Sequence, residues 1–512
     1  MARSTAIIPT VAPWTNKDSS STHGSKLYNM YVSKDAAGQF HAVKRPGLDY
    51  STDYNPTPGT YTNSSIGNGA GLGGDVGSSG TYMFQIWGDE LFTQNGASAV
   101  ASIGTIAGSS PTTRKYYAHI SGFTYLITTS TSITSNLYRF NASGLTQITN
   151  GAFPDSSGFP TKNSETLAGG MQVVDNYLCV LTKTGKLWNS AVGAPTTWSV
   201  LDYVSAEQDN DLGVYLSKHH NHLVVLGAHS TEFFYNASLP TGSPFLPRKD
   251  VKSSTGCASA ESVGEFEDLT FFVAQSKKGD RYIAQIENFQ ISRISDENIE
   301  RRLLGGRSAA LSEKLRGTCV KVAGQLFYIL TGTDNADGTS RVTFAYHVTL
   351  KQWYQWALAS GAAVEIVESF DGSAQVGFTD ESGRQYIQTK DYVYEISPVF
   401  TRDETTDGAT DTITCKVTLP EWTGEPHEMG RSKFVRQLKL LCDESTDLSD
   451  TVQIEVSSDN FTTWTSLGSI PRNMLSKITQ LGKFYRLAIR LTHAYNSTFR
   501  AQAFHLEYDA GI

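Results

Sequence analysis

The chain has 512 residues, of which only 18 % are charged, and a formal net charge of −8. That balance argues against a protein that coats nucleic acid, because phosphate binding calls for a net basic face. No window approaches the roughly 18 consecutive apolar residues of a membrane helix, and the first residues, Met1 to Pro9, lack the apolar run of a secretory signal. Glycine is abundant (45), and aromatics reach 11 %, mostly Tyr and Phe. Flat rings pack well on pleated, half-buried surfaces, so the composition predicts an all-β protein.

Residues 1–81 read as an extended N-terminal arm ending in a Gly/Ser-rich loop, Gly67 to Gly80. Apolar residues recur before that tract (Leu27, Tyr28, Met30, Tyr31, Phe40, Val43, Leu48), which favours an arm ordered by a partner over plain disorder.

Residues 82–400 carry a repeat. Polar turns at Gly88-Asp89, Gly122, Asp175-Asn176, Asn221, Glu267-Asp268, Gly324 and Asp371-Gly372 are each followed by a short apolar strand, such as Leu178 to Leu181 or Leu223 to Leu226. The mean spacing, about 47 residues, is close to one four-stranded propeller blade. The expectation is a six- or seven-bladed β-propeller whose closure draws on a strand from the N-terminal arm. A short helical insertion is predicted at 295–304. Ser295 would cap it, Asp296 and Glu297 open it, Arg301-Arg302 close it and Gly305-Gly306 stop it.

Residues 401–408 are polar and aperiodic and read as a linker. From 409 to 512 apolar and polar residues alternate, as in Val452 to Val456, which predicts a C-terminal β-sandwich able to fold as a separate unit.

Candidate chemistry is sparse. His219, His220 and His222 are the one histidine cluster, but Asn221 falls where the repeat wants its turn and no further ligand completes a site, so a solvated hairpin tip is expected. Asp209-Asn210-Asp211 lacks the Gly and distant Glu of a calcium loop. Gly67-Asn68-Gly69-Ala70-Gly71 has neither the preceding strand nor the following helix of a dinucleotide loop.

Ser457 to Trp464 matches the Asp-box pattern of sialidase-type propellers. Its Asp459 is expected to hold the turn while Trp464 covers the hairpin base. The carboxylates form no recognisable pair of the kind glycoside hydrolysis needs. Five scattered cysteines without a close pair read as reduced, packed thiols. No catalytic, cofactor-binding or metal residue is assigned, and no enzymatic activity is expected.

Two stretches resemble a known family. Leu27 to Val32, with Asn29-Met30, precedes Lys44-Arg45-Pro46-Gly47-Leu48; later, Leu223 to Phe234, with Leu226-Gly227 and Thr231-Glu232-Phe233, leads into Gly256-Cys257-Ala258 and Leu269 to Ala274. In order and spacing they resemble the packaged-DNA stabilisation proteins, or tail hub and nozzle proteins, of short-tailed (podovirus) bacteriophages. The resemblance implies a propeller protein, made in the host cytoplasm and placed in the virion tail. It implies that a homohexamer forms a tube below the portal-adaptor (head-completion) ring, docks tailspikes or tail fibres outside, and meets a plug or needle at its distal tip. Double-stranded DNA would pass through the lumen without sequence-specific binding.

A single propeller's own channel is too narrow for a duplex, so passage would need several copies around one axis. A lumen richer in Asp and Glu than in Lys and Arg would keep DNA from sticking. The alternative reading is a glycan-binding or glycan-cleaving propeller, a host-surface depolymerase, motivated by the Asp box.

Overall fold

The computed structural model describes residues 3–11, 26–50, 55–56, 69–77, 80–94, 100–106, 114–129, 137–142, 144–150, 152–153, 166–206, 211–304, 315–334, 340–371, 384–406, 409–425, 428, 430–473 and 476–511. The described residues are almost all-β in their regular structure and form a β-propeller. Among the described residues seven consecutive antiparallel units can be traced. The first comprises Gly69–Gly77, Gly80–Trp87, Glu90–Gln94 and Ala101–Thr105. The next five run over 116–147, 167–205, 213–253, 255–293 and 316–356.

The last unit, 366–397, takes its outermost strand from the other end of the chain. Gly47–Tyr50 pairs with Val393–Ser397, so the N-terminal segment locks the ring. The inner strands of the last and first units pack together, and Gln388 stitches them: its Oε1 accepts from Gly71 N at 2.9 Å and its Nε2 donates to Ile86 O at 3.0 Å.

The strand signal has a simple cause. A second strand such as Tyr177–Thr182 or His222–Gly227 lies within a sheet covered on both faces by neighbouring units. It therefore reads as a continuous apolar run rather than an alternation. The turns that precede these strands hold consecutive positive-φ residues, as at Ser121-Gly122, Asp175-Asn176 and Ala323-Gly324. Such turns match the twist of a tight hairpin.

The Gly/Ser tract is a correction. Gly69–Gly77 is not part of an arm; it is the innermost strand of the first unit. Backbone crowds Gly69, where a Cβ would sit 2.3 Å from Thr389 O of the last unit, whereas a Cβ on Gly71 or Gly73 would meet the side chains of Ile86 and Phe84. The repeat is also out of phase at its start. Gly88-Asp89 joins the second and third strands of its unit, whereas the turns at Gly122, Asp175-Asn176, Asn221, Glu267-Asp268 and Gly324 join the first and second. Gly372 lies outside the described residues.

The helix spans Glu297–Leu303. Its cap is Asp296, whose carboxylate accepts from Asn298 N and Ile299 N; Ser295 instead hydrogen-bonds Glu300 Oε1. Ile299 and Leu303 pack under the fifth and sixth units, while Gly305-Gly306 lies outside the described residues.

The segment 409–512 does not close on itself. One sheet orders Met30–Lys34, Phe40–Lys44, Arg500–Ala510, Lys433–Cys442 and Ile478–Phe484, with Arg3–Pro9 also pairing along Arg500–Ala510. The other includes Lys26–Tyr28, Cys415–Thr418, Ala488–His493, Thr451–Ser457 and Thr465–Pro471, and it continues through a parallel bridge, Tyr28 to Gln355, into the sixth propeller unit. Leu27, Met30, Val417, Leu438 and Leu506 share one apolar core with Phe327, Trp356, Ile387 and Ile396 of the propeller.

Of the residues read as a linker, 401–406 are structured, and 407–408 lie outside the described residues. Arg402–Thr406 forms a hairpin with Ala409–Thr412, and Asp403 is buried. Asp403 takes both guanidinium nitrogens of Arg45, Nη1 to Oδ1 at 3.0 Å and Nη2 to Oδ2 at 2.5 Å. Arg45 also donates to Ala357 O (2.7 Å), Pro46 O (2.8 Å) and Asn29 Oδ1 (3.2 Å), and Asn29 Oδ1 accepts from Ala357 N at 2.7 Å. Gly47 follows because the chain passes so close that a Cβ would meet Arg402 O at 2.3 Å. Asn29 and Arg45-Pro46-Gly47 are thus the clamp that joins the N-terminal strands, the propeller and the C-terminal sheets.

Beside this clamp Asp49 lies opposite Glu395 in the ladder and shares a hydrogen bond with Glu404. Burial first, and then Glu404, push its carboxyl up to about 6, against the pull of Arg402 and Arg384. A carboxyl whose pKa is raised on folding gives stability that is complete below the unfolded value and is lost as pH rises through the folded one. Asp49's share of the stability is therefore expected to be lost as pH rises through about 6, opposing the gain that His219 and His222, whose pKa burial lowers, give over the same range, and Asp49→Asn is expected to make the thermal midpoint rise more steeply with pH than the parent's. An Asp49→Asn protein with the parent's slope would contradict the pairing.

Candidate functional site in the axial channel

The inner strands bring polar side chains from six units to the propeller axis. Arg114, just before the inner strand of the second unit, crosses that axis. Its Nη1 donates to Val263 O (2.9 Å) in the fifth unit and Gly317 O (3.3 Å) in the sixth, and its Nη2 pairs with Glu368 (2.6 Å) in the seventh. Its backbone N–H reaches Glu261 Oε1 at 3.1 Å. Tyr116 and Tyr215 meet edge to face beside it, centroids 5.6 Å apart. Burial is the largest single influence and works against the Arg114 charge, but Glu368, Tyr215, Tyr116 and Glu261 together outweigh it and hold the guanidinium cationic. The channel is plugged by the chain's own side chains.

Above this plug lies a cavity of about 450 Å³, lined among others by Tyr117, Gln172, Lys218, Glu265, Lys321 and Glu368. Glu265 is exposed to this cavity, with the channel walls close around its carboxylate. That crowding raises its pKa, and only neutral groups answer it at hydrogen-bonding range: Ser217, Gln172 Nε2 at 3.0 and 3.1 Å and Tyr215 OH at 3.3 Å. Lys115, buried at the plug, is pulled down to about 8 by desolvation.

Sequence reasoning missed this constellation, since Arg114, Glu265 and Glu368 come from three distant strands with no motif among them. The histidines do sit at a hairpin tip, yet not as a uniformly solvated one. His219 is buried, with its imidazole bonded to Asp268 O (2.7 Å) and to Phe289 N (3.1 Å); His220 is exposed and pairs with Asp268 (3.0 Å). Burial lowers the pKa of His219 and His222. Asp211 accepts from His229 N and Ser230 Oγ, closing a loop, while Asp209 and Asn210 lie outside the described residues. Cys179, Cys257, Cys319 and Cys415 are buried free thiols, and Cys442 is partly buried.

The Asp-box hairpin forms in the C-terminal sheets. Asp459 accepts from Thr463 Oγ1, from Thr463 N (2.9 Å) and from Ser457 Oγ (2.8 Å), and these bonds pull its carboxyl down to about 2. The residue buried under the turn is Phe461; Trp464 is half-buried, with Arg490 stacked 4.2 Å from its ring. Trp464→Ala is accordingly expected to cost about 2 kcal/mol rather than the ~3 kcal/mol of a fully buried aromatic, and Phe461→Ala the larger amount. Urea unfolding of the two variants checks the order.

The family model described as Bacteriophage P22 Gp10, beta-propeller, matches residues 54–332, more than half of the chain, and the chain belongs to that family of phage stabilisation proteins. Its role is that of a structural component of the virion. No curated protein matches the chain.

Similar solved structures include BamB from Moraxella catarrhalis (10 % identity, 76 % of this chain and 97 % of that one, TM-score 0.35). Others are the N-terminal domain of Nup159 (11 %, 73 % and 98 %, TM-score 0.37) and the WD40 domain of Toxoplasma gondii coronin (11 %, 72 % and 85 %, TM-score 0.34). Likenesses at this level carry no argument about what the chain does.

Proposed function

We propose that this chain is the tail hub or nozzle subunit of a short-tailed phage. In this reading several copies, six by the family resemblance, close into a ring below the portal-adaptor ring. The ring retains the packaged genome, conducts it at ejection, docks spikes or fibres outside and meets a plug or needle at its tip. The observation that carries the reading is the Arg114 plug in a phage-family propeller: DNA has no route through one copy, so a conduit has to lie between copies. A charge of −8 per chain, repeated around a ring, favours a lumen that repels DNA.

The chain acts here without cofactor, metal or catalytic group. The Asp box does not support the glycan-cleaving alternative, because it lies outside the propeller and its Asp459 is engaged within the turn. Virions assembled without this protein are expected to lose their DNA, and cryo-EM of complete virions is expected to place it around the DNA axis. Genome retention without the protein, or density only in peripheral spikes, would overturn the assignment.

A further inference from the structure

The axial cavity has a charge pattern that the plug does not explain. Lys218 and Lys321, half-exposed on the inner strands of the fourth and sixth units, both line it. Lys218 Nζ donates to Val173 O at 3.2 Å, and Lys321 Nζ lies 5.8 Å from the Phe266 ring. Neither ammonium has a carboxylate partner among the described residues. On the fifth unit, between theirs and at the same distance from its hairpin turn, Glu265 offers an acceptor to the cavity, held by Gln172 and Tyr215 and with no cation in hydrogen-bonding contact.

We propose that this cavity binds a small acidic sugar, one pyranose-sized polyol carrying a single carboxylate. The anionic group would sit between Lys218 and Lys321, and the hydroxyls would donate to Glu265. A volume of about 450 Å³ falls within the range of small-molecule sites. Two features favour a sugar acid over other anions. A bare inorganic anion brings its whole charge wherever it meets Glu265, whereas a sugar ring sets its hydroxyl donors apart from its carboxylate and can answer Glu265 while its own charge faces the lysines. An acidic peptide brings carboxylates without a ring of hydroxyls, and it would have to reverse direction inside a channel that Arg114 closes.

This site goes beyond the virion role, and its failure would leave that role untouched. The test is a ligand-observed NMR titration of the full chain with glucuronate, with glucose and inorganic phosphate as comparisons. Glucuronate is expected to bind saturably and to weaken at least tenfold in the Lys218→Ala/Lys321→Ala protein. Glu265→Gln is expected to weaken glucuronate and to leave phosphate unaffected or tighter, and glucose is expected to bind more weakly than glucuronate. Both lysines are half-exposed, so an unchanged thermal midpoint would confirm that the double variant is folded. The proposal is overturned by an absence of saturable glucuronate binding, or by glucuronate binding that the double substitution leaves unchanged. Phosphate binding as tight as glucuronate, with both indifferent to Glu265→Gln, would also overturn it, since it would mark a simple anion site.

Discussion

Arg45→Ala is expected to destabilise the chain by about 3–5 kcal/mol, the usual consequence of removing one partner from a buried ion pair. The substitution strands the buried Asp403 carboxylate and removes the donors to Ala357 O, Pro46 O and Asn29 Oδ1. Arg45→Lys is expected to recover only part of the loss, because an ammonium cannot span both Asp403 oxygens in the guanidinium's planar fork. The double change Arg45→Met/Asp403→Leu is expected to be milder than Arg45→Ala, since it removes both charges together. Urea unfolding followed by tryptophan fluorescence measures all three. A loss below about 1 kcal/mol for Arg45→Ala would show that the three segments are held by apolar packing alone.

Arg114→Ala is expected to have an effect of the same order, about 3–5 kcal/mol, by a different route. It leaves Glu368 without its counter-charge and the Val263 and Gly317 carbonyls without a donor, at the point where four units converge on the axis. Adding Glu368→Gln to Arg114→Ala is expected to restore part of the stability, because the residual cost is an uncompensated buried carboxylate. Additive losses in that double-mutant cycle would contradict a direct Arg114–Glu368 coupling. A thermal midpoint for Arg114→Ala equal to the parent's would remove the plug from the account of the fold.

What the sequence by itself determined was local. Strands covered on both faces, such as His222–Gly227, announce themselves as apolar runs, and turns with paired positive φ carry at least one Asn or Gly, as at Ser121-Gly122, Asp175-Asn176 and Ala323-Gly324. The half-buried strand Thr451–Ser457 shows the alternation of a sheet with one wet face. Those signals sufficed for an all-β propeller, and the Asp box could be read because its bonds run within one hairpin.

The tertiary structure alone decided where segments of weak local preference would go. Gly69–Gly77 has almost no side chains to signal a strand; it becomes one because crowding at the axis tolerates nothing larger than glycine at Gly69. Arg402–Thr406 reads as a polar linker because its charge is matched by Arg45, 358 positions away in the chain. The Arg114 plug joins residues 254 positions apart and the Glu265 contact with Gln172 residues 93 apart, so no spacing in the chain foreshadows them. Residues 409–512 alternate like an independent sandwich, yet their core is completed by strands from the first fifty residues, because edges such as that of Arg500–Ala510 are satisfied by whichever chain segment lies beside them.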